Sequence, residues 1–138
     1  MVMADIPSPT RTETQSIESE AAVAAVLTVL VDATRIPEWA PAFADSVSAD
    51  TVSGWRATKD GRDFALRVAV NQDAGTVDYL RELAPGQDGG AYIRVIPRPK
   101  GGSVIVMTLP LLPDVNQADT AATLDRELTA LVSLVEQR

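Results

Sequence analysis

Residues 116–136 read NQADTAATLDRELTALVSLVE. Leu124, Leu128, Leu131 and Val135 recur at i, i+4, i+7 and i+11, the spacing of one face of an α-helix. No glycine or proline interrupts the run, and either Asn116 or Asp119 can cap it. A long amphipathic helix buries its leucine stripe only against another apolar face. The segments before it supply that face as strands.

Residues 62–71 alternate Phe64, Leu66, Val68 and Val70 with Ala65, Arg67, Ala69 and Asn71, the period of a half-buried strand. Asp60-Gly61 precedes this run and follows a strand-like stretch from Ser53 to Thr58. Such a pair predicts a hairpin, because a type I′ turn needs positive φ at both central residues. Further strands are predicted over Ser46–Ser48, Thr76–Leu83, Ala91–Arg98 and Ser103–Leu109, divided by turns at Asn71–Gly75, Pro85–Gly90 and Pro99–Gly102. Pro110 and Pro113 close the last of them.

Upstream, Thr10 to Ile17 is strand-like, and Ser19 stands where a helix N-cap belongs, with Glu20 in the first turn. Val23, Val26, Leu27 and Leu30 form one helical face. Pro37 and Pro41 break the run, so residues 34–43, TRIPEWAPAF, hold a second short helix or turn. Residues 1–9 read as a flexible tail, and 10–138 as a single domain.

Short strand-to-strand connections demand antiparallel neighbours. Helices segregated from a run of strands indicate an α+β fold. The expectation is a curved antiparallel sheet of about seven strands wrapped around the C-terminal helix, with two short N-terminal helices as a lid. A helix laid into a coiled sheet leaves a gap, and such a gap is a natural small-molecule site.

This order, together with Ile36-Pro37-Glu38-Trp39-Ala40-Pro41, Gly101-Gly102 and Leu109-Pro110, resembles the START-like, or helix-grip, superfamily (SRPBCC). That superfamily includes polyketide cyclases, Bet v 1 allergens and lipid-transfer START domains. The resemblance covers residues 10–138 and implies a hydrophobic cavity between sheet and helix. It does not imply one activity, because a fold hosts many functions.

Alternation assigns faces. Phe64, Leu66, Val68 and Val70, then Val77, Tyr79 and Arg81, then Ile93 and Val95, then Val104, Val106 and Thr108 are expected to point inward, as is Trp55. The expected cavity wall is therefore Trp39, Trp55, Phe64, Leu66, Val68, Tyr79, Arg81, Ile93, Val95 and Thr108, with Leu124 and Leu128 as its floor. Tyr79 and Arg81 are the candidates for chemistry. An inward arginine needs an anion, a carboxylate or water at the cavity mouth, and a phenol can donate a proton. Arg81 also has a plain structural reading, as a cation near the strand end that snorkels to solvent and pairs with a surface acid. Asp78, Glu82, Asp125 and Glu127 read as solvated carboxylates. Leu80, Ile96, Ile105, Met107 and Leu109 share the opposite parity, an apolar convex face that predicts a homodimer or another protein partner.

Composition narrows the function. The chain contains neither cysteine nor histidine. Disulfides, thiolate or histidine-based triads and most transition-metal sites are thereby excluded. No metal or cofactor is expected, and the resemblance implies that an enzyme here would be a cyclase or dehydratase working without metal, histidine or cysteine. The net charge of −7 disfavours nucleic acid. The apolar stretch Ala21–Val31 is shorter than the roughly 20 residues that span a bilayer. Residues 1–10 lack a signal peptide's basic and apolar regions, and the absence of cysteine suits a reducing cytoplasm, the expected location. Three functions stay open. The chain could bind a hydrophobic molecule of lipid, polyketide or aromatic type, act as a polyketide cyclase or aromatase, or dock a protein on its convex face.

Overall fold

The computed structural model describes residues 11–52 and 54–137. The proposed tail over residues 1–9, Thr10 and Ser53 lie outside them. Seven strands form one antiparallel sheet in the order β1-β7-β6-β5-β4-β3-β2. They are β1 (Arg11–Ser19), β2 (Ser46–Asp50), β3 (Gly54–Lys59), β4 (Arg62–Asn71), β5 (Thr76–Ala84), β6 (Gln87–Pro97) and β7 (Ser103–Leu111). Strands β2 to β7 run as a meander. Strand β1 closes onto β7, from Arg11 opposite Leu111 to Ser19 opposite Ser103.

The chain must therefore cross from one edge of the sheet to the other between β1 and β2. It does so through α1 (Val23–Leu30), a 3₁₀ turn (Ala33–Arg35) and α2 (Ile36–Trp39). Pro37 sits in the first turn of α2, where its missing N–H costs nothing. Helix α3 (Gln117–Val135) lies in the concave face of the sheet and buries Leu124, Leu128 and Leu131. The core joins these leucines to Val26 and Leu30 of α1, Ile36 and Trp39 of α2, and inward residues of β4 to β7.

The Asp60-Gly61 turn has φ of 52° and 78°, as a type I′ hairpin requires. Asn116 caps α3, its Oδ1 accepting from the Asp119 N–H at 3.0 Å. Ser19 does not cap α1. It ends β1, and Ala22 holds the N-cap position with no side-chain bond. Ser19 Oγ instead accepts from the Ala21 N–H and donates to Glu136, whose carboxylate also accepts from the Glu20 N–H. The end of α3 is thus tied to the end of β1.

The inward parity holds through β6, except that Val70 at the end of β4 is exposed, and it reverses on β7. Ile105 and Met107 are buried, whereas Val104, Val106 and Thr108 are only half-buried. The cause is the length of the β6–β7 connection. Pro97 pairs with Ser103, so Ile93 faces Met107 and Val95 faces Ile105. Directly opposed residues share a face, and carrying the parity across with one residue of slip flips the whole strand. Thr108 therefore leaves the cavity wall. Its hydroxyl meets that of Thr14 at 2.8 Å on β1. The expected homodimer face loses Ile105, Met107 and Leu109 for the same reason and keeps only Leu80 and Ile96.

Candidate functional site

A cavity of about 270 Å³ lies between α2, α3 and the concave face of the sheet. This is near the lower end of the roughly 300–1,000 Å³ usual for ligand pockets. From α2 and the turn after it come Ile36, Trp39, Ala40 and Phe43; from the sheet, Tyr79, Ala91, Met107 and Leu109. Helix α3 contributes Thr120, Thr123, Leu124 and Glu127 at helical spacing, and Val115 and Asn116 close the mouth. Arg11 holds that mouth in place, its Nη2 donating to the carbonyls of Leu112, Pro113 and Val115.

Three aromatic rings make one wall. Trp39 and Phe43 lie 6.0 and 6.5 Å from Tyr79, centroid to centroid. Phe64 stands edge-on to Phe43 at 5.6 Å. The Trp39 indole N–H is buried without a hydrogen-bond partner.

Of the expected wall residues, the structure places Trp39, Tyr79 and Leu124 on this cavity. Leu66, Ile93, Val95 and Leu128 face inward but belong to the packed core. Trp55, Phe64 and Val68 are partly buried against that core. Thr108 lies on the opposite face.

Tyr79 is 2% exposed, and its hydroxyl donates to the Leu30 carbonyl at 2.6 Å. Burial, reinforced by the nearby charge of Asp32, pushes the phenol far above its usual pKa. The hydroxyl is committed to fastening α1 to the sheet, which leaves it poorly suited to proton donation. Tyr79→Phe is expected to cost about 1–3 kcal/mol by stranding the Leu30 carbonyl. Urea unfolding of the variant against wild type measures it.

Arg81 has the inward parity, yet it stacks on Phe64 with its guanidinium carbon 4.0 Å from the ring centroid. Its Nε is buried without a hydrogen-bond partner. It does not line the cavity; Phe64 and Phe43 stand in sequence on that side.

Glu127 is the correction on the polar side. It is a half-buried cavity residue, not a solvated one. Burial pushes its carboxyl up to about 7, against the lowering pull of Arg126. Its place was readable in principle. Thr120, Thr123, Leu124 and Glu127 are spaced i, i+3, i+4 and i+7, so Glu127 adjoins the leucine stripe. Asp78 is half-buried, and Glu82 and Asp125 are exposed. Among the described residues, no group of three or more acidic side chains could hold a metal ion. No helix among them is long and apolar enough to cross a membrane.

No family model and no curated protein matches the sequence. Solved structures do match it in shape. The Zhui aromatase/cyclase from Streptomyces sp. R1128 superposes with a TM-score of 0.65 at 14% identity, over 94% of this chain and 96% of that one. A START superfamily protein from Mycobacterium smegmatis gives 0.64 at 15% identity, over 91% and 97%. Ara h 8.0201 gives 0.60 at 19% identity, over 92% and 98%. At these identities the likeness is one of architecture.

Proposed function

We propose that this chain, which has the START-like, helix-grip fold, binds a hydrophobic small molecule in the cavity between sheet and α3. The observation that carries the reading is the cavity itself, apolar on most of its wall, faced by Trp39, Phe43 and Tyr79 and supplied with one desolvated carboxyl. Its size suits a ligand of one or two fused rings or a short chain.

Tryptophan fluorescence supplies the test, because Trp39 lies on the cavity wall. Naphthalene-based probes are expected to change its emission saturably. Ala91→Phe places a ring inside the cavity and is expected to weaken binding about tenfold or more, with little change in Tm. Equal binding by that variant, or none by the wild type, would remove the reading.

Glu127 favours a second reading, proton transfer on the bound molecule. A carboxyl that titrates near neutral pH suits a general acid or base. Under this reading Glu127→Gln abolishes turnover and retains binding of a neutral substrate, whereas a carrier has no turnover to lose.

A further inference from the structure

We propose that the preferred ligand is a hydrophobic amine, its protonated nitrogen pairing with the Glu127 carboxylate and its apolar body resting on Trp39, Phe43 and Tyr79. The inference rests on the cavity being a ligand site and adds the charge of what it takes.

Three features point the same way. First, the charges on the cavity wall itself are of one sign. Its titratable wall residues are Asp119 and Glu127 on α3 and Tyr79 on β5. The wall residues from α2, the turn after it, β6 and β7 are all uncharged, and no lysine or arginine appears among the described wall residues. Nearby cations are directed elsewhere, Arg11 at the mouth donating to the carbonyls of Leu112, Pro113 and Val115. Arg126 bonds to Thr123 Oγ1 at 3.1 Å, and Arg81 rests on Phe64. A ligand carboxylate would meet the ionised Glu127 with no cation on the cavity wall to pair with, Arg126 offsetting only part of the repulsion.

Second, the same cavity is lined by the aromatic rings of Trp39, Phe43 and Tyr79. Ring faces attract a cation through their quadrupoles, most strongly where water is excluded. Third, Glu127 has no hydrogen-bond partner among the described residues, so its carboxyl is free to take a ligand's N–H. In a poorly solvated pocket the resulting ion pair is stronger than on an open surface.

The pairing is coupled to pH. Glu127 must be ionised to hold an ammonium, and burial delays its ionisation to about pH 7. Amine affinity therefore rises as pH passes upward through that value, while the affinity of a neutral ligand stays flat.

Calorimetric titration with 2-(1-naphthyl)ethylamine, 2-(1-naphthyl)ethanol and 1-naphthylacetate compares the three charges on one ring system. At about pH 8 the amine is expected to bind about tenfold tighter than the alcohol, and the carboxylate weaker than either. Glu127→Gln should bring the amine to the level of the alcohol and abolish the amine's pH dependence. On wild-type protein, moving from about pH 5.5 to pH 8 should strengthen amine binding about tenfold. This second measurement decides the matter should the variant fold poorly. An amine that binds no better than the alcohol, or shows no pH dependence, overturns the inference and leaves the cavity reading standing. Failure of all three probes overturns both.

Discussion

At pH 8, Glu127→Gln is expected to be more stable than the wild type by about 2 kcal/mol, and the gain is expected to vanish near pH 4. The carboxyl is raised from its ordinary 4.5 to about 7 by burial. Between those values the folded protein holds a proton that the unfolded chain has released. Stability then falls as pH rises, because the slope follows the difference in bound protons between unfolded and native states. Below pH 4.5 both states are protonated and the penalty is absent. Above about 7 both are ionised and the penalty is complete. One pKa unit corresponds to about 1.4 kcal/mol, and partial solvent access scales the full shift down. Glutamine keeps the shape and never ionises. Denaturant unfolding of both proteins from pH 4 to pH 9 checks the prediction; parallel curves would mean that Glu127 is solvated. The penalty itself bears on function, since a ligand that neutralises the charge relieves it.

Gly90→Ala is expected to cost about 3 kcal/mol or more, the larger effect of the two, and to disturb the cavity with it. A Cβ at Gly90 would run into the backbone carbonyl oxygen of Tyr79 and crowd the Leu80 Cα at 3.1 Å. The obstacle is main chain, so no side-chain rotation relieves it, and the paired strands β5 and β6 must part. Gly90 pairs with Leu80 and Ala91 with Tyr79, so the movement falls on two cavity residues. Thermal unfolding together with probe binding measures both consequences. A variant within about 0.5 kcal/mol of wild type would show that β6 shifts there at little cost.

Most of the architecture was legible because it depends on local rules. The Asp60-Gly61 turn, the alternation along β4 and the leucine stripe of α3 each follow from neighbours in sequence. Face assignment on β7 was not, because it depends on the register across residues 98–102, and alternation shows that two faces exist without saying which is inner. Ile105 and Met107 are as apolar as Val104 and Val106, so hydrophobicity could not break the tie.

The site was harder to read, for two different reasons. The inward direction of Tyr79 followed from parity, but its partner, the Leu30 carbonyl, lies 49 residues away and belongs to a helix whose docking no pattern specifies. Glu127 was misread for the opposite reason. Charge suggests solvent, while its position at i+3 from Leu124 puts it beside the buried stripe. What decides between the two is whether α2 covers that end of α3, and this is a property of the assembled molecule.

The order of strands has a kinetic consequence. Hairpins β3–β4 through β6–β7 each join near neighbours, so their chain-closure entropy is small. The edge between β1 and β7 instead brings Arg11 to Leu111, across nearly the whole chain. Contacts of such high sequence separation form slowly, so β1 should be among the last elements to dock. Arg11 then reaches the carbonyls beside the mouth only in that late step. A nascent molecule would collapse first around an open trough, and only this final closure would turn the trough into a chamber.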